Sequence, residues 1–203
     1  MRNGGCQRGT VSSTGRSPRG GDGHDNFPTP ESVTQRLLSH VPLPGGFWLE
    51  PTAGEGAIIE AVNEVRSDVR WGAFELRPEC KVPLERLGVM VKIGDARALL
   101  AEEEEGWDVA ILNPPFSLAM PIILGCLRVA KHVVALERLN FLETRKRAAF
   151  FRAHAPDVYV FPDRPSFTGD GHTDSTAYAW FVWPEGGHNR SSGRVEVLPV
   201  ETT

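Results

Sequence analysis

Short apolar runs alternate with amphipathic stretches along residues 25–185, and this alternation constrains the fold more than any other feature. The short runs are typical of buried strands, whereas the stretches between them carry the apolar spacing of helices. Strands that alternate with helices form parallel sheets covered on both faces. The pattern therefore predicts an α/β, Rossmann-like domain with a mostly parallel seven-stranded sheet and an antiparallel edge strand.

The predicted strands are FWLE, WGAFE, VMVKI, WDVAIL, HVVALE, DVYVFP and STAYAWFVW. No helix separates the last two, so they are expected to pair antiparallel at one edge. Before the first strand, Thr29 and Pro30 predict the N-cap and first position of a short helix. Residues 1–24 are rich in Gly, Ser and Arg and predict a disordered tail, and residues 186–203 predict a C-terminal tail that is weakly ordered at its start.

The composition excludes several classes of protein. The three cysteines are far apart and form no CxxC pair, which disfavours a disulfide framework or a zinc cluster and favours a cytoplasmic setting. No apolar run approaches eighteen residues, so a membrane span is not expected. Asp170, His172 and Asp174 alternate, but no further ligand cluster accompanies them, and we predict no metal site.

Charge is distributed unevenly along the chain. Residues 50–108 contain 14 acidic and 7 basic residues, whereas residues 128–164 contain 8 basic and 4 acidic residues. The second region is the one that would attract phosphate, although a mixed solvated surface is an equal alternative from charge alone.

Three predicted strands end in residues suited to a nucleotide-like ligand. Glu50 and a G-x-G turn at Gly54 and Gly56 follow the first strand, Glu75 ends the second, and Asp95 follows the third. A glycine turn lets a ligand approach the backbone, and the Glu75 carboxylate is placed to accept both hydroxyls of an adenosine ribose. Asp95 is placed to accept from an adenine amino group. Each of these residues also has a structural alternative, such as packing for the glycines and helix capping for the acids.

The fourth strand, WDVAIL, runs directly into Asn113, Pro114, Pro115 and Phe116. A stiff turn is the simple interpretation of Asn-Pro-Pro alone. A dinucleotide site would require G-x-G-x-x-G, but Ile59 occupies the third glycine position, and the chain has no GxxxxGK[ST] loop.

Taken together, LEPTAGEG, Glu75, GDA and NPPF, preceded by FPTP, resemble the class I S-adenosylmethionine-dependent methyltransferases, specifically the amino-methyltransferases of adenine in DNA. The resemblance covers about residues 26–184, and LERLNFLE and RPSFTGDGHTDSTAYAWFVW also resemble small phage and prophage methylases. It implies S-adenosylmethionine as cofactor, with the methionine portion near Thr29, Pro30 and the Gly54 turn, its amino group near Glu50, its ribose at Glu75 and its adenine at Asp95. The remaining residues that the resemblance assigns to the cofactor are Pro51, Gly56 and Ala96.

The NPPF loop suits methyl transfer to an exocyclic amine, which is a poor nucleophile because its lone pair is delocalised. The amide oxygen of Asn113 and the carbonyl of Pro114 can each accept one N–H and direct the lone pair toward the methyl group. The prolines hold the carbonyl in place, and Phe116 can stack on the base. Transfer is expected to be a direct in-line displacement. Methylation of a cytosine ring carbon is rejected. That reaction needs a cysteine nucleophile on a loop, whereas Cys80 and Cys126 lie at predicted helical positions and neither directly follows a proline.

Residues after the fifth and sixth strands are expected to contact a nucleic acid, with a solvated surface as the alternative: Arg138, Asn140 and Phe141, then Arg164 and Phe167 in a polar loop. The expected substrate is adenine in DNA, flipped out or single-stranded. The alternatives are an RNA guanine or adenine amino group, a protein glutamine, and a noncatalytic module that binds S-adenosylmethionine or nucleic acid. The sequence predicts neither a recognition sequence nor an oligomeric state.

Overall fold

The computed structural model describes residues 28–167, 176–186 and 189–200. Within these residues the chain forms one eight-stranded sheet with helices on both faces, which confirms the predicted fold class. The strands are β1 Gly46–Glu50, β2 Val69–Glu75, β3 Met90–Ile93, β4 Trp107–Leu112, β5 Ala130–Arg138, β6 Asp157–Val160, β7 Tyr178–Trp183 and β8 Val195–Val197. The helices are α1 Glu31–His40, α2 Ala57–Asn63, α3 Lys81–Arg86, α4 Ala96–Glu102, α5 Ala119–Val129 and α6 Arg145–Ala153, with short 3-10 turns at Pro78–Cys80 and Leu139–Leu142. The predicted tail at residues 1–24 lies outside the described residues.

The strand order is β3-β2-β1-β4-β5-β7-β6-β8. All neighbouring pairs are parallel except β5 with β7 and β7 with β6. The antiparallel pairing of the sixth and seventh strands is as predicted. However, β7 is inserted between β5 and β6, so it lies inside the sheet and not at its edge.

The eighth strand comes from the stretch that the sequence predicts as a C-terminal tail. β8 pairs in parallel with β6, and the carboxylate of Asp157 accepts hydrogen bonds from the guanidinium of Arg190 and the backbone N–H of Arg194. The Leu198 side chain is buried just beyond this strand. These contacts hold the segment against the sheet.

Alternate residues of the strands point into two cores, one on each face of the sheet. Trp48 and Ile111 pack with residues from α1, α2 and α3. Leu49 and Leu112 pack on the opposite face with residues from α4 and α5. Because both faces are covered, the side chains that can reach a ligand are those at the strand ends, and the carboxyl ends of parallel strands share one edge.

Candidate active site

A cavity of about 800 Å³ lies at the carboxyl ends of β1, β2, β3 and β4. Nine of the residues predicted for a site line it together: Thr29, Glu50, Pro51, Gly54, Glu75, Asp95, Ala96, Asn113 and Pro115. Four others, Pro30, Gly56, Pro114 and Phe116, are not among its lining residues. Thus the structure brings the ends of four predicted strands, and the residue before the start of α1, to one cavity.

The two glycines of the G-x-G turn have different roles. Gly54 has φ of 57°, and its backbone N–H donates to Glu75 Oε2 at 2.7 Å, which joins the end of β1 to the end of β2. Gly56 has φ of 98°, and a Cβ there would lie 2.6 Å from a methyl carbon of Leu87. Packing against α3, the structural alternative, therefore accounts for Gly56, whereas Gly54 faces the cavity.

Glu50 is the least satisfied charged group in the cavity. Its side chain is 2% exposed, and burial, followed by the charge of Glu75, raises its pKa well above 4.5. Among the described residues, neither Glu50 Oε2 nor the nearby Thr52 Oγ1 has a hydrogen-bond partner. Buried polar atoms without partners cost about 1–3 kcal/mol each. A ligand that carries an ammonium group would satisfy Glu50 and retain its ionised form, so this end of the cavity fits the amino group of a methionine-like ligand.

Glu75 is already held by the protein. Its Oε1 accepts from the backbone N–H and the Nε of Arg77 at 2.9 and 3.0 Å, and its Oε2 accepts from Gly54. A carboxylate has about four acceptor sites, so roughly one remains for a ligand hydroxyl. Glu75 can therefore take one ribose hydroxyl without rearrangement, rather than the two that the sequence predicts.

Asp95 caps α4, which is the structural alternative considered for it. Its side chain accepts from the backbone N–H and the Nε of Arg97, at 2.9 and 3.0 Å. The hydrogen bond from the Arg97 side chain is the main reason that the pKa of Asp95 falls to about 2. The residue nevertheless lines the cavity next to Ala96, so it can both cap the helix and meet a ligand.

Asn113 contacts Thr29 across the cavity. The Asn113 Nδ2 donates to Thr29 Oγ1 at 3.0 Å. Thr29 was predicted to cap α1, but Pro30 occupies the N-cap position and no side-chain cap bond is present. The N-cap prediction is wrong, because the Thr29 hydroxyl is hydrogen-bonded to Asn113 instead.

Phe116 belongs to an aromatic group beside the cavity rather than to its wall. The Arg138 guanidinium carbon lies 4.2 Å from the Phe116 ring centroid, and Arg138 Nε donates to Tyr178 Oη at 3.3 Å. The Tyr178 ring lies 4.9 Å from that of Phe167 and 6.3 Å from that of Phe116. The sequence analysis missed Tyr178, because its proximity depends on β7 pairing with β5 so that Arg138 faces Tyr178. One face of Phe116 is therefore covered by Arg138.

The other predicted substrate contacts are placed differently. Phe141 is 3% exposed and packs edge-on against Phe151 and Phe181, so the structure contradicts its assignment as a stacking surface. The 3-10 turn that carries it directs the ring into the core. Asn140 and Arg164 are exposed, as a contact with a large substrate requires.

Sequence reasoning missed several further groups. Thr52 and Arg77 line the cavity; Thr52 lies inside LEPTAGEG, and Arg77 lies two residues after Glu75. Glu137, near the end of β5, is 1% exposed, and burial raises its pKa to about 8. Its Oε1 has no hydrogen-bond partner among the described residues, yet it does not line the cavity.

No group of three metal-ligating side chains occurs within residues 28–167, 176–186 and 189–200. Asp170, His172 and Asp174 lie outside these residues. No helix in the described part of the chain is long and apolar enough to span a membrane.

Of the comparisons with known proteins, only the one with solved structures found similar proteins. No protein-family model matches the sequence, and no curated protein matches it. Similar solved structures include a protein from Agrobacterium tumefaciens classed as an O-methyltransferase, with a TM-score of 0.62, 16% identity, and coverage of 84% of this chain and 87% of that one. A protein from Vibrio vulnificus classed as a modification subunit of a type I restriction enzyme gives a TM-score of 0.62 at 14% identity, and covers 89% of this chain and 48% of that one. A precorrin-6y C5,15-methyltransferase from Geobacter metallireducens gives 0.54 at 18% identity, with coverage of 76% and 86%. The chain therefore has the Rossmann-like fold of the class I methyltransferases.

Proposed function

We propose that the protein transfers a methyl group from S-adenosylmethionine to the exocyclic amino group of adenine in DNA, within the cytoplasm. One observation carries the proposal: Asn113, at the end of the buried strand β4, shares a cavity wall with the unpartnered carboxyl of Glu50. The Asn113 amide, which can accept from an amine, and the Glu50 carboxyl, which can accept from a cationic ligand, therefore line the same cavity.

The main cofactor residues proposed are those at the ends of β1, β2 and β3. Glu50 would hold the ammonium group, Glu75 one ribose hydroxyl, and Asp95 with Ala96 the adenine, while Pro51 and Gly54 form the turn beneath them. The resemblance also assigns Thr29 and Pro30 to the cofactor; Thr29 lines the cavity, whereas Pro30 only adjoins it in the chain. When bound, S-adenosylmethionine supplies a methyl group activated by a sulfonium leaving group.

Asn113 and Pro114 would act on the acceptor amine. The amide oxygen and the proline carbonyl each accept one N–H, which draws the nitrogen toward tetrahedral geometry and directs its lone pair. Pro115 continues the rigid turn, and its carbonyl accepts from Leu118 N at 2.8 Å. An amide cannot serve as a general base, so the surplus proton of the methylated amine leaves to water.

Exposed cations on α6 and after β6 support a polyanionic substrate. Arg145, Lys146, Arg152 and Arg164 form no ion pair with any described residue. By contrast, Arg77 and Arg97 in the cofactor region are paired with Glu75 and Asp95. Solvated cations that cluster near an acceptor pocket are suited to phosphates, with Arg138, Asn140 and Phe167 nearer the base. Phe116 would stack through the face that Arg138 leaves open.

The test is to incubate the purified full chain with radiolabelled S-adenosylmethionine and, separately, with DNA, RNA and protein pools. The expected product is N6-methyladenine in DNA. Labelled nucleoside found solely in RNA, or label found solely in protein, would contradict the DNA assignment, and binding without transfer would favour the noncatalytic alternative.

A further inference from the structure

We infer that Thr29 is a positioning residue, which holds the amide nitrogen of Asn113 and thereby turns the amide oxygen toward the acceptor amine. The inference rests on the proposed function, because it concerns the same acceptor loop. It starts from the hydrogen bond of 3.0 Å between Asn113 Nδ2 and Thr29 Oγ1, which joins residues 84 positions apart.

The orientation of the Asn113 amide decides whether the loop can hold an amine. Its oxygen accepts hydrogen bonds, whereas its nitrogen only donates. An amide turned by 180° would present N–H groups to the N–H groups of the amine, and the two would repel. Because Thr29 accepts from the nitrogen, the oxygen occupies the opposite side of the side chain.

Thr29 is itself well anchored. Its side chain is 5% exposed, and Pro30 follows it with φ restricted by its ring. Helix α1 is fixed to β7, because Trp180 Nε1 donates to the carbonyl of Val33 at 3.0 Å. The Arg36 guanidinium also pairs with Asp163 at 2.8 Å, at the start of the loop that leads to Phe167. The hydroxyl is therefore held by the same sheet that carries Asn113.

The alternative role for Thr29 is that of a simple cofactor contact, since it lines the cavity. The two roles predict different kinetics. A cofactor contact affects the affinity for the cofactor, whereas a residue that orients Asn113 affects turnover when both substrates are saturating.

The experiment compares Thr29→Val, which replaces the hydroxyl by a methyl group of similar size, with Thr29→Ser, which keeps the hydroxyl. We expect Thr29→Val to lower kcat more than tenfold and Thr29→Ser to stay within threefold of the wild type. The dissociation constant of S-adenosylhomocysteine, measured by titration calorimetry, should change less than threefold in both variants. Thr29→Ala is a second variant without the hydroxyl and should repeat the loss if the valine side chain prevents folding.

A matched control is Thr34→Val, which removes a buried hydroxyl from the same side of α1. Thr34 Oγ1 has no partner among the described residues and does not line the cavity, so its removal should leave kcat unchanged. Unchanged kcat in Thr29→Val and Thr29→Ala would overturn the inference, as would a loss of S-adenosylhomocysteine binding with normal kcat. Equal losses in Thr29→Val and Thr29→Ser would also overturn it. A wild-type protein that methylates no nucleic acid would instead refute the proposed function, before any variant is compared.

Discussion

The two sides of the sheet's carboxyl edge distribute charge in opposite ways. On the side formed by β1, β2 and β3, carboxyl groups reach the cavity, and Glu50 does so without a partner. On the side formed by β5, β6 and β7, cations reach the surface, and the carboxyl of Glu137 is buried without lining the cavity. A cationic small ligand and a polyanion can therefore occupy adjoining places without competing for the same groups.

Glu50 and Glu137 illustrate this contrast, because the two carboxyls are equally buried but differ in their access to the cavity. Both are at least 98% buried at strand ends, both have a raised pKa, and both have one oxygen without a partner among the described residues. They differ in that Glu50 lines the cavity, whereas Glu137 does not. A perturbed carboxyl indicates a ligand site when a cavity reaches it.

The largest expected effect is the loss of turnover when Asn113 is replaced, with cofactor affinity unchanged. Replacing Asn113 by Ala removes an acceptor that the amine uses in the transition state, and we expect kcat to fall by about a thousandfold or more. The affinity for S-adenosylhomocysteine should change less than threefold, because the cofactor side is intact. Radiolabel transfer and calorimetry measure the two quantities, with Ser67→Ala, an exposed position that does not line the cavity, as control. Turnover that survives in Asn113→Ala would remove the residue from the chemistry.

The second prediction concerns Glu137 and stability. Because its pKa is about 8 in the folded protein and near 4.5 when unfolded, the folded state binds the extra proton between these values. Its contribution to stability is thus complete below pH 4.5 and is lost as the pH rises toward 8, by on the order of 4–5 kcal/mol. Glu137→Gln should remove this loss, which urea denaturation at pH 5 and pH 8 can measure. Parallel pH dependence in the two proteins would show that Glu137 does not titrate in this way.

Glu50 provides the matching test on the cofactor side. A charge-assisted hydrogen bond contributes about 1.5–3 kcal/mol, so Glu50→Gln should weaken S-adenosylhomocysteine binding by about ten- to a hundredfold. In the wild type the affinity should fall as the pH drops below the raised pKa of Glu50, because a protonated carboxyl no longer attracts the ammonium group. The Gln variant should lose this pH dependence. An equal weakening of S-adenosylhomocysteine binding in Glu137→Gln would contradict the different roles expected for the two carboxyls.

The smallest expected effect is on nucleic-acid binding by α6. Replacing Arg145 and Lys146 by Gln should weaken binding to an oligonucleotide several-fold and lower the slope of log affinity against log salt by about 1 per lost contact. Arg70→Gln removes an exposed cation from the start of β2, at the opposite edge of the sheet, and should leave the slope unchanged. Fluorescence anisotropy at several salt concentrations measures both. Identical slopes for all three proteins would remove α6 from the interface.

The site could be predicted from sequence where strand ends determine it. Trp107–Leu112 forms the predicted buried strand, and Asn113 emerges from it into the cavity that also contains Glu50 and Glu75. This worked because an apolar run followed by Asn-Pro-Pro determines both the strand and its end locally.

Features that depend on distant pairing could not be predicted. Phe141 looks exposed among charged neighbours, but its burial depends on how the turn after β5 meets Phe181. The pairing of β8 depends on Asp157 holding Arg190 and Arg194, which no local pattern shows. The Thr29 hydroxyl has two possible partners, the helix start or Asn113, and only the folded arrangement decides between them.

The position of β7 between β5 and β6 has a consequence for how this protein can be altered. The segment between β6 and β7 leaves and returns at the acceptor edge, where Phe161 N donates to the carbonyl of Tyr178 at 3.1 Å. This hydrogen bond holds the two ends of the segment together, so the number of residues between them can change while the strands stay paired. Doubling the length of a loop costs only about 0.6 kcal/mol in closure entropy. Grafting segments of other lengths and compositions between Phe167 and Tyr178 is therefore a route to new acceptor preferences that leaves the cofactor cavity and the sheet unchanged.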